Sequence, residues 1–211
     1  MTLVLHGYRL SVYQRIVRLT LAEKEVIYER VEVNPFAPDL PQAYLALHPF
    51  GRVPVLVHDG FAVYETAAIT RYIDRVFPGP ALQPADPKAL ARMDQIIGAV
   101  DAYGYWPLVR QVFVQRVARP RRGEPVDEGE LATGLSASVK VLAALERLAA
   151  DDAFLVGQAL SLADLHLGAM LAYFVQAREG EALLKQHARL AAGWERLRQR
   201  PSVAATDPGL P

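Results

Sequence analysis

Up to about Phe77, short apolar runs alternate with stretches of helical period. Residues 2–5 form an apolar run that predicts a buried strand, and residues 12–24 carry apolar side chains at 12, 16, 17, 19 and 21, a broadly helical spacing. Residues 26–33 are rich in β-branched side chains and predict a second strand, and residues 41–47 predict a short helix. Residues 53–58 and 61–64 flank Asp59-Gly60, a pair that tolerates positive φ and therefore predicts a two-residue hairpin. Residues 65–77 then show Ile69, Tyr72, Ile73 and Val76 as one helical stripe. A βαβ unit implies parallel pairing and a hairpin implies antiparallel pairing, so the expected sheet is mixed and has four strands.

The pattern changes after Pro78. Residues 79–87, rich in proline and glycine, read as a linker, and no strand-like run follows. Residues 88–117 predict a long helix kinked at Pro107. Arg119 to Pro125 is a basic stretch that reads as a solvated connection. Leu131, Leu135, Val139, Leu142, Leu145 and Leu148 predict a second long amphipathic helix, and residues 162–175 are apolar almost all round, as a fully buried helix would be. Short helices fill the chain to about Gln199. The expected organisation is an α/β domain over residues 1–78, a linker over 79–87, and an all-helical domain over 88–211.

Composition narrows the chemistry. The 211 residues contain no cysteine, so there is no disulfide framework, no cysteine-based zinc site and no protein thiol; any thiol must arrive with a ligand. The five histidines are scattered without ligand spacing, and no Gly-rich nucleotide loop is present, so no metal and no nucleotide are expected. Formal charge is +0, which favours neither nucleic acid nor an anionic membrane. No run is long enough to span a bilayer, and the first residues do not read as a signal peptide, so a cytoplasmic protein is expected.

Three local patterns have structural readings of their own. Ser11-Val-Tyr-Gln14 is a capping box in which the hydroxyl accepts a helix N–H and Gln14 reaches back. Glu65 at the start of a helix complements the dipole. Ser161 and Asp164 form a second S-x-x-D cap at the mouth of the apolar helix, a fold-determining feature, with His166 a core histidine behind it.

Taken in order, four segments resemble the glutathione transferase superfamily. Gly7-Tyr-Arg-Leu-Ser11 with the following helix to Ala22-Glu-Lys24 is similar to the family's opening. His48-Pro-Phe-Gly-Arg52-Val53-Pro54 resembles its Asn-Pro-x-Gly-Lys/Arg-Val-Pro segment, with His48 in place of asparagine. Tyr64-Glu65-Thr66-Ala-Ala-Ile69 resembles Glu-Ser-x-Ala-Ile, and Phe154-Leu-Val-Gly157 with Ser161-Leu-Ala-Asp164 resembles the signature of the buried helix. The resemblance is to the serine-type, theta/phi-like bacterial branch, and it implies a thioredoxin-like N-terminal domain followed by an all-α bundle.

It further implies that glutathione is the cosubstrate, held by Ser11, His48, Arg52, Val53, Pro54, Glu65 and Thr66. Ser11, the catalytic residue, would donate to the sulfur. A helix N-terminus favours a thiolate, and lowering a thiol pKa of about 8.5 by two units takes roughly 2.7 kcal/mol. The implied proline bond is cis, with glutathione pairing as an added strand. Arg52 would meet the glycyl carboxylate, and Thr66 with the nearby helix N–H groups the γ-glutamyl carboxylate. A small apolar electrophile is expected in a pocket lined by Leu10, Tyr13, Tyr103, Trp106 and Arg110, although the last three, by their helical spacing, also read as core or dimer contact. A detoxifying homodimer is implied. A glutathione-dependent isomerase or dehalogenase, or a non-catalytic binding module on the same fold, remains an alternative.

Overall fold

In the computed structural model, which describes residues 2–209, the chain divides into two compact units. The first holds residues 2–81 and, returning from the far end of the sequence, residues 201–209. The second spans residues 82–200.

Within the first unit the sheet order is β2-β1-β3-β4. β1 (Leu3–Gly7) pairs in parallel with β2 (Glu29–Glu32) and antiparallel with β3 (Val55–His58), which pairs antiparallel with β4 (Phe61–Tyr64). The mixed four-stranded sheet is the expected one. Its hairpin turn is Asp59-Gly60, both residues with positive φ. β2 is shorter than the apolar pattern predicts: Glu25, at φ 54°, turns the chain after the first helix, and Val26 and Tyr28 pack against the core instead of pairing.

Leu3 and Leu5 alternate onto one face of β1 and meet Val17 and Leu21 of α1 (Val12–Glu23), Leu56 of β3, and Ile69, Ile73 and Phe77 from α3 (Thr66–Val76) and its end. Fully burying each such side chain stabilises by about 1.5–3 kcal/mol. Between the strands lies α2 (Gln42–Leu45), one short turn.

At the end of α1, Lys24 is buried and its ammonium is fully used. It donates to the Asp74 carboxylate at 3.1 Å, the Asp74 carbonyl at 3.2 Å and the Pro80 carbonyl at 3.0 Å. That cation ties the ends of α1 and α3 to the residues that leave the unit.

The returning segment is held by α1. Arg18 donates to the carbonyls of Thr206 and Ala205, both at 3.1 Å, Arg15 to that of Val203 at 3.3 Å, and the Ser202 hydroxyl donates to the Glu23 carboxylate at 2.5 Å. A helix end leaves carbonyls without intrahelical partners, and arginines are suited to them by charge and geometry. This corrects the expectation that the chain from 88 to 211 forms one helical domain. Arg15, Arg18 and Glu23, all buried, supply the reason, since residues 202–206 give each of them a hydrogen bond.

The second unit is built of helices, with an isolated antiparallel bridge, Phe154 to Gly157, between them. The helix α4 (Pro87–Ala99) begins on Asp86, which accepts from the Ala89 N–H at 2.8 Å. The chain then runs on as a π-helix over Val100–Ala118, ending in the single turn α5 (Arg119–Arg121). Proline removes a donor and presses on the preceding helical turn. Around Pro107 the chain takes this up by wider winding along the whole segment, where the sequence predicts a local kink.

The buried stripe of α6 (Glu128–Leu148) is Leu131, Gly134, Ser138, Leu142 and Leu145. Leu135 and Val139 were expected inside, yet Val139 is 49% exposed. Close packing decides this: a Cβ on Gly134 would lie 2.4 Å from the Gln111 Cβ, and that approach fixes which face of α6 turns inward. In α7 (Leu162–Phe174) every residue but Ala172 is buried, as its all-round apolar pattern predicts. Its first turn is closed by Asp164, which accepts from the Ser161 N–H and hydroxyl and from the Leu155 N–H. Burial pushes the Asp164 carboxyl above the usual carboxylate range, and these bonds oppose it. His166, also buried, lies 3.3 Å from the Asp101 carboxylate. Shorter helices α8 (Arg178–Leu184) and α9 (Ala188–Leu197) complete the unit, and α10 (Pro201–Ala205) belongs to the returning segment.

Candidate functional site

Strand direction brings three segments to one end of the sheet. β1 finishes at Gly7, where antiparallel β3 begins and β4 finishes; the register sets His6 opposite Val55 and Val55 opposite Tyr64. The turn bearing Ser11 leaves β1 there, Val53-Pro54 leads into β3 there, and Glu65-Thr66 leaves β4 there. Sequence distance of more than fifty residues collapses into one strand end.

Ser11 caps α1. Its hydroxyl accepts from the Gln14 N–H at 3.3 Å, and its own N–H donates to the Tyr8 carbonyl at 2.8 Å. The reciprocal arm of the expected capping box does not form. The Gln14 side chain is buried beneath Gly7, where a Cβ would come within 2.6 Å of the Gln14 Cδ, and among the described residues neither atom of its amide has a partner. A hydroxyl has two lone pairs and one proton. Accepting the helix N–H therefore leaves the Ser11 proton available to a ligand, and capping and donation are compatible.

The Val53–Pro54 bond is cis. Pro54 is buried and Arg52 is exposed. Tyr44, on α2, is 5% exposed and donates its hydroxyl to the Arg52 carbonyl at 2.5 Å; burial pushes its phenol up to about 12. Tyr44 was not anticipated as part of this region. Its only signal in the sequence is an aromatic in a short helix.

His48 is 3% exposed, and its ring stacks on Tyr64 with centroids 4.5 Å apart, Phe50 standing edge-on to both. Burial holds the imidazole below its ordinary value; the Glu65 carboxylate pulls it back up and Arg52 adds to the depression. His48, Arg52 and Glu65 thus share one electrostatic neighbourhood.

Glu65 adopts φ 69°, ψ 114°, a conformation that L-residues avoid, and it is the N-cap of α3. Such strain costs on the order of 1–3 kcal/mol and collects where a site demands it. The Glu65 side chain makes no cap hydrogen bond to this end of α3, and the next residue, Thr66, is buried.

The remaining expected residues fall in two places. Leu10 and Tyr13 flank Ser11 in the first unit and are half-buried. In the second unit, Tyr103 and Trp106 are 70% and 58% exposed, and the Arg110 guanidinium lies over the Trp106 ring at 5.9 Å. Their exposure excludes the reading of Tyr103 and Trp106 as core of this chain. Among the described residues no cluster of three or more His, Cys, Asp or Glu side chains is arranged to hold a metal, and no helix is long and apolar enough to cross a membrane.

A serine at a helix start, a cis proline and the strained Glu65 at the mouth of a second helix thus meet at one end of an α/β unit. Residues 5–81 match the family model of the glutathione S-transferase N-terminal domain, and residues 135–205 that of the C-terminal domain. Glutathione S-transferase F13 of Arabidopsis thaliana is 31% identical over 215 residues, covering 100% of this chain and 97% of the relative. The chain belongs to the glutathione S-transferase family. Its fold is similar to that of glutathione S-transferase III in apo form (TM-score 0.86, 28% identity, 100% and 98% of the two chains). It is also similar to the theta class enzyme of Xanthomonas axonopodis with glutathione bound (TM-score 0.81, 25% identity, 97% and 96%).

Proposed function

We propose that this protein conjugates the thiolate of glutathione to small hydrophobic electrophiles. The observation that carries the reading is the meeting of Ser11, Val53-Pro54 and Glu65-Thr66 at one end of a single sheet. In this proposal the Ser11 hydroxyl donates to the glutathione sulfur, and the N-terminus of α1 favours the negative charge on it. The Val53 backbone pairs with the cysteinyl backbone as an added strand. Thr66 and the N–H groups at the start of α3 take the γ-glutamyl carboxylate, Glu65 the γ-glutamyl amine, and Arg52 the glycyl carboxylate. His48, buried against Tyr64, contributes by shaping the wall that carries Arg52 and Glu65.

With the sulfur ionised, its lone pair forms the new bond at the electrophilic carbon and the leaving group departs with its electron pair. The protein lowers the barrier by holding the thiolate and by positioning the partner. Leu10 and Tyr13, next to Ser11 in the chain, are proposed to touch the electrophile. Tyr103, Trp106 and Arg110 offer the second unit's exposed aromatic surface to an electrophile or to a second copy. A cytoplasmic, detoxifying homodimer without a metal completes the reading, and it rests on the family resemblance.

Titration calorimetry with glutathione, followed by conjugation to an aromatic halide, tests the proposal. Binding with turnover is expected. Binding without turnover on any electrophile would make the chain a binding module. No binding would remove glutathione from the reading altogether.

A further inference from the structure

Ser11 is reached through a turn with an unusual anchorage. The turn runs from Tyr8 to Ser11 and is closed by the Ser11 N–H on the Tyr8 carbonyl. Arg9, its second residue, is fixed from two sides. Its backbone N–H donates to the Glu32 carboxylate at the end of β2 at 2.7 Å. One nitrogen of its guanidinium donates to two carbonyls, those of Pro208 and, at 2.9 Å, Gly209.

Those two carbonyls are not loose ends. The residues before them are bound to α1 through Arg18, Arg15 and Glu23. The contacts therefore close a ring: α1 grips the tail, the tail grips Arg9, Arg9 holds the turn, and the turn delivers Ser11 to the start of α1. A hydroxyl that must meet a sulfur within hydrogen-bond reach tolerates little displacement.

We infer that Arg9 is a positioning residue for Ser11 and acts through the Pro208 and Gly209 carbonyls of the C-terminal tail. The inference rests on the glutathione reading for its chemical consequence, and on the hydrogen bonds alone for its mechanical one. A guanidinium suits the task because one planar nitrogen presents two protons in fixed directions, and it stays charged at every working pH.

The test compares wild type, Arg9→Ala, a chain lacking residues 208–211, and the combination. Melting and circular dichroism establish that each is folded, and the truncated chain carries the test if Arg9→Ala does not fold. Two readouts follow: hydrogen exchange of the amides from Arg9 to Arg15, and the ultraviolet titration of the thiolate of bound glutathione. Each single change should speed exchange in the turn and raise the apparent thiol pKa by about half a unit, a roughly threefold loss of thiolate below that pKa. The combination should do no more than either change alone, because both cut the same link. Arg9→Lys, which keeps the charge but lacks the planar fork, should recover only part of the wild-type behaviour. Unchanged exchange and titration in both variants overturn the inference, as do effects that add. A wild type with no bound thiolate, but with exchange that responds as described, overturns the glutathione reading and leaves the brace standing.

Discussion

The Tyr44 hydroxyl donates to the Arg52 carbonyl across 2.5 Å, and this bond anchors the loop that leads into Val53 and β3. Tyr44 therefore sets the backbone on which the proposed cysteinyl pairing depends while standing behind it. Replacing it with phenylalanine keeps the packing and removes one donor. Leaving the carbonyl without it costs about 1–3 kcal/mol. Tyr44→Phe should lower Tm by several degrees and raise the KM for glutathione several-fold, with kcat nearly unchanged. Steady-state kinetics at varied glutathione and a melting curve check it; a fall in kcat alone would contradict the positioning role.

Ser11 both caps a helix and is proposed to donate to sulfur, and the two contributions separate in Ser11→Gly. Glycine serves as an N-cap at a cost of only a few tenths of a kcal/mol. Stability should hold while kcat/KM falls by about ten- to a hundred-fold, consistent with losing about 1.4–2.7 kcal/mol of thiolate stabilisation. If activity tracks the small change in Tm instead, the hydroxyl is only a cap.

Lys24 is buried against Asp74, their side chains 2% and 6% exposed. Removing one partner of such a pair leaves the other charge in a dry site and costs about 3–5 kcal/mol. Lys24→Met should be strongly destabilised in denaturant melts, and adding Asp74→Asn should recover part of the loss. A Lys24→Met chain as stable as wild type would show that Asp74 is solvated in solution.

The buried His48 makes stability depend on acid. Its imidazole is held below its ordinary value by burial, so the unfolded chain takes up this proton at a higher pH than the folded one. The contribution is complete above about pH 6.5 and is lost as pH falls from there toward the folded value. His48→Asn removes that window. The Tm difference between wild type and variant should shift in the variant's favour between about pH 7.5 and about pH 5.5. A difference independent of pH would exclude the effect.

What the sequence discloses depends on how local the cause is. Asp59-Gly60 and the all-round apolar run from Leu162 are legible because the turn chemistry and the burial are written in adjacent residues. The Gln14 side chain was misread because a capping box is a local pattern, and a glycine on a neighbouring strand drew it under the sheet. Val139 lies outside for a similar reason, since the close approach of Gly134 to Gln111 fixes which face of α6 turns inward. Within the site, Ser11, Arg52 and Glu65 were recognisable as motif residues. The conformation of Glu65 and the place of Tyr44 were not, because both depend on partners that only the folded strands bring near.

The first unit is discontinuous, and this has a consequence for how the chain is made and divided. Translation delivers residues 2–81 early, but the segment that hydrogen-bonds Arg15, Arg18 and Glu23 emerges only after the whole helical unit has been synthesised. Until then these three side chains of α1 lack their hydrogen bonds to residues 202–206. A gene fragment cut at the apparent domain boundary would encode the sheet and its helices without that closing piece. The unit that carries Ser11 is thus among the first to be synthesised and the last to be finished.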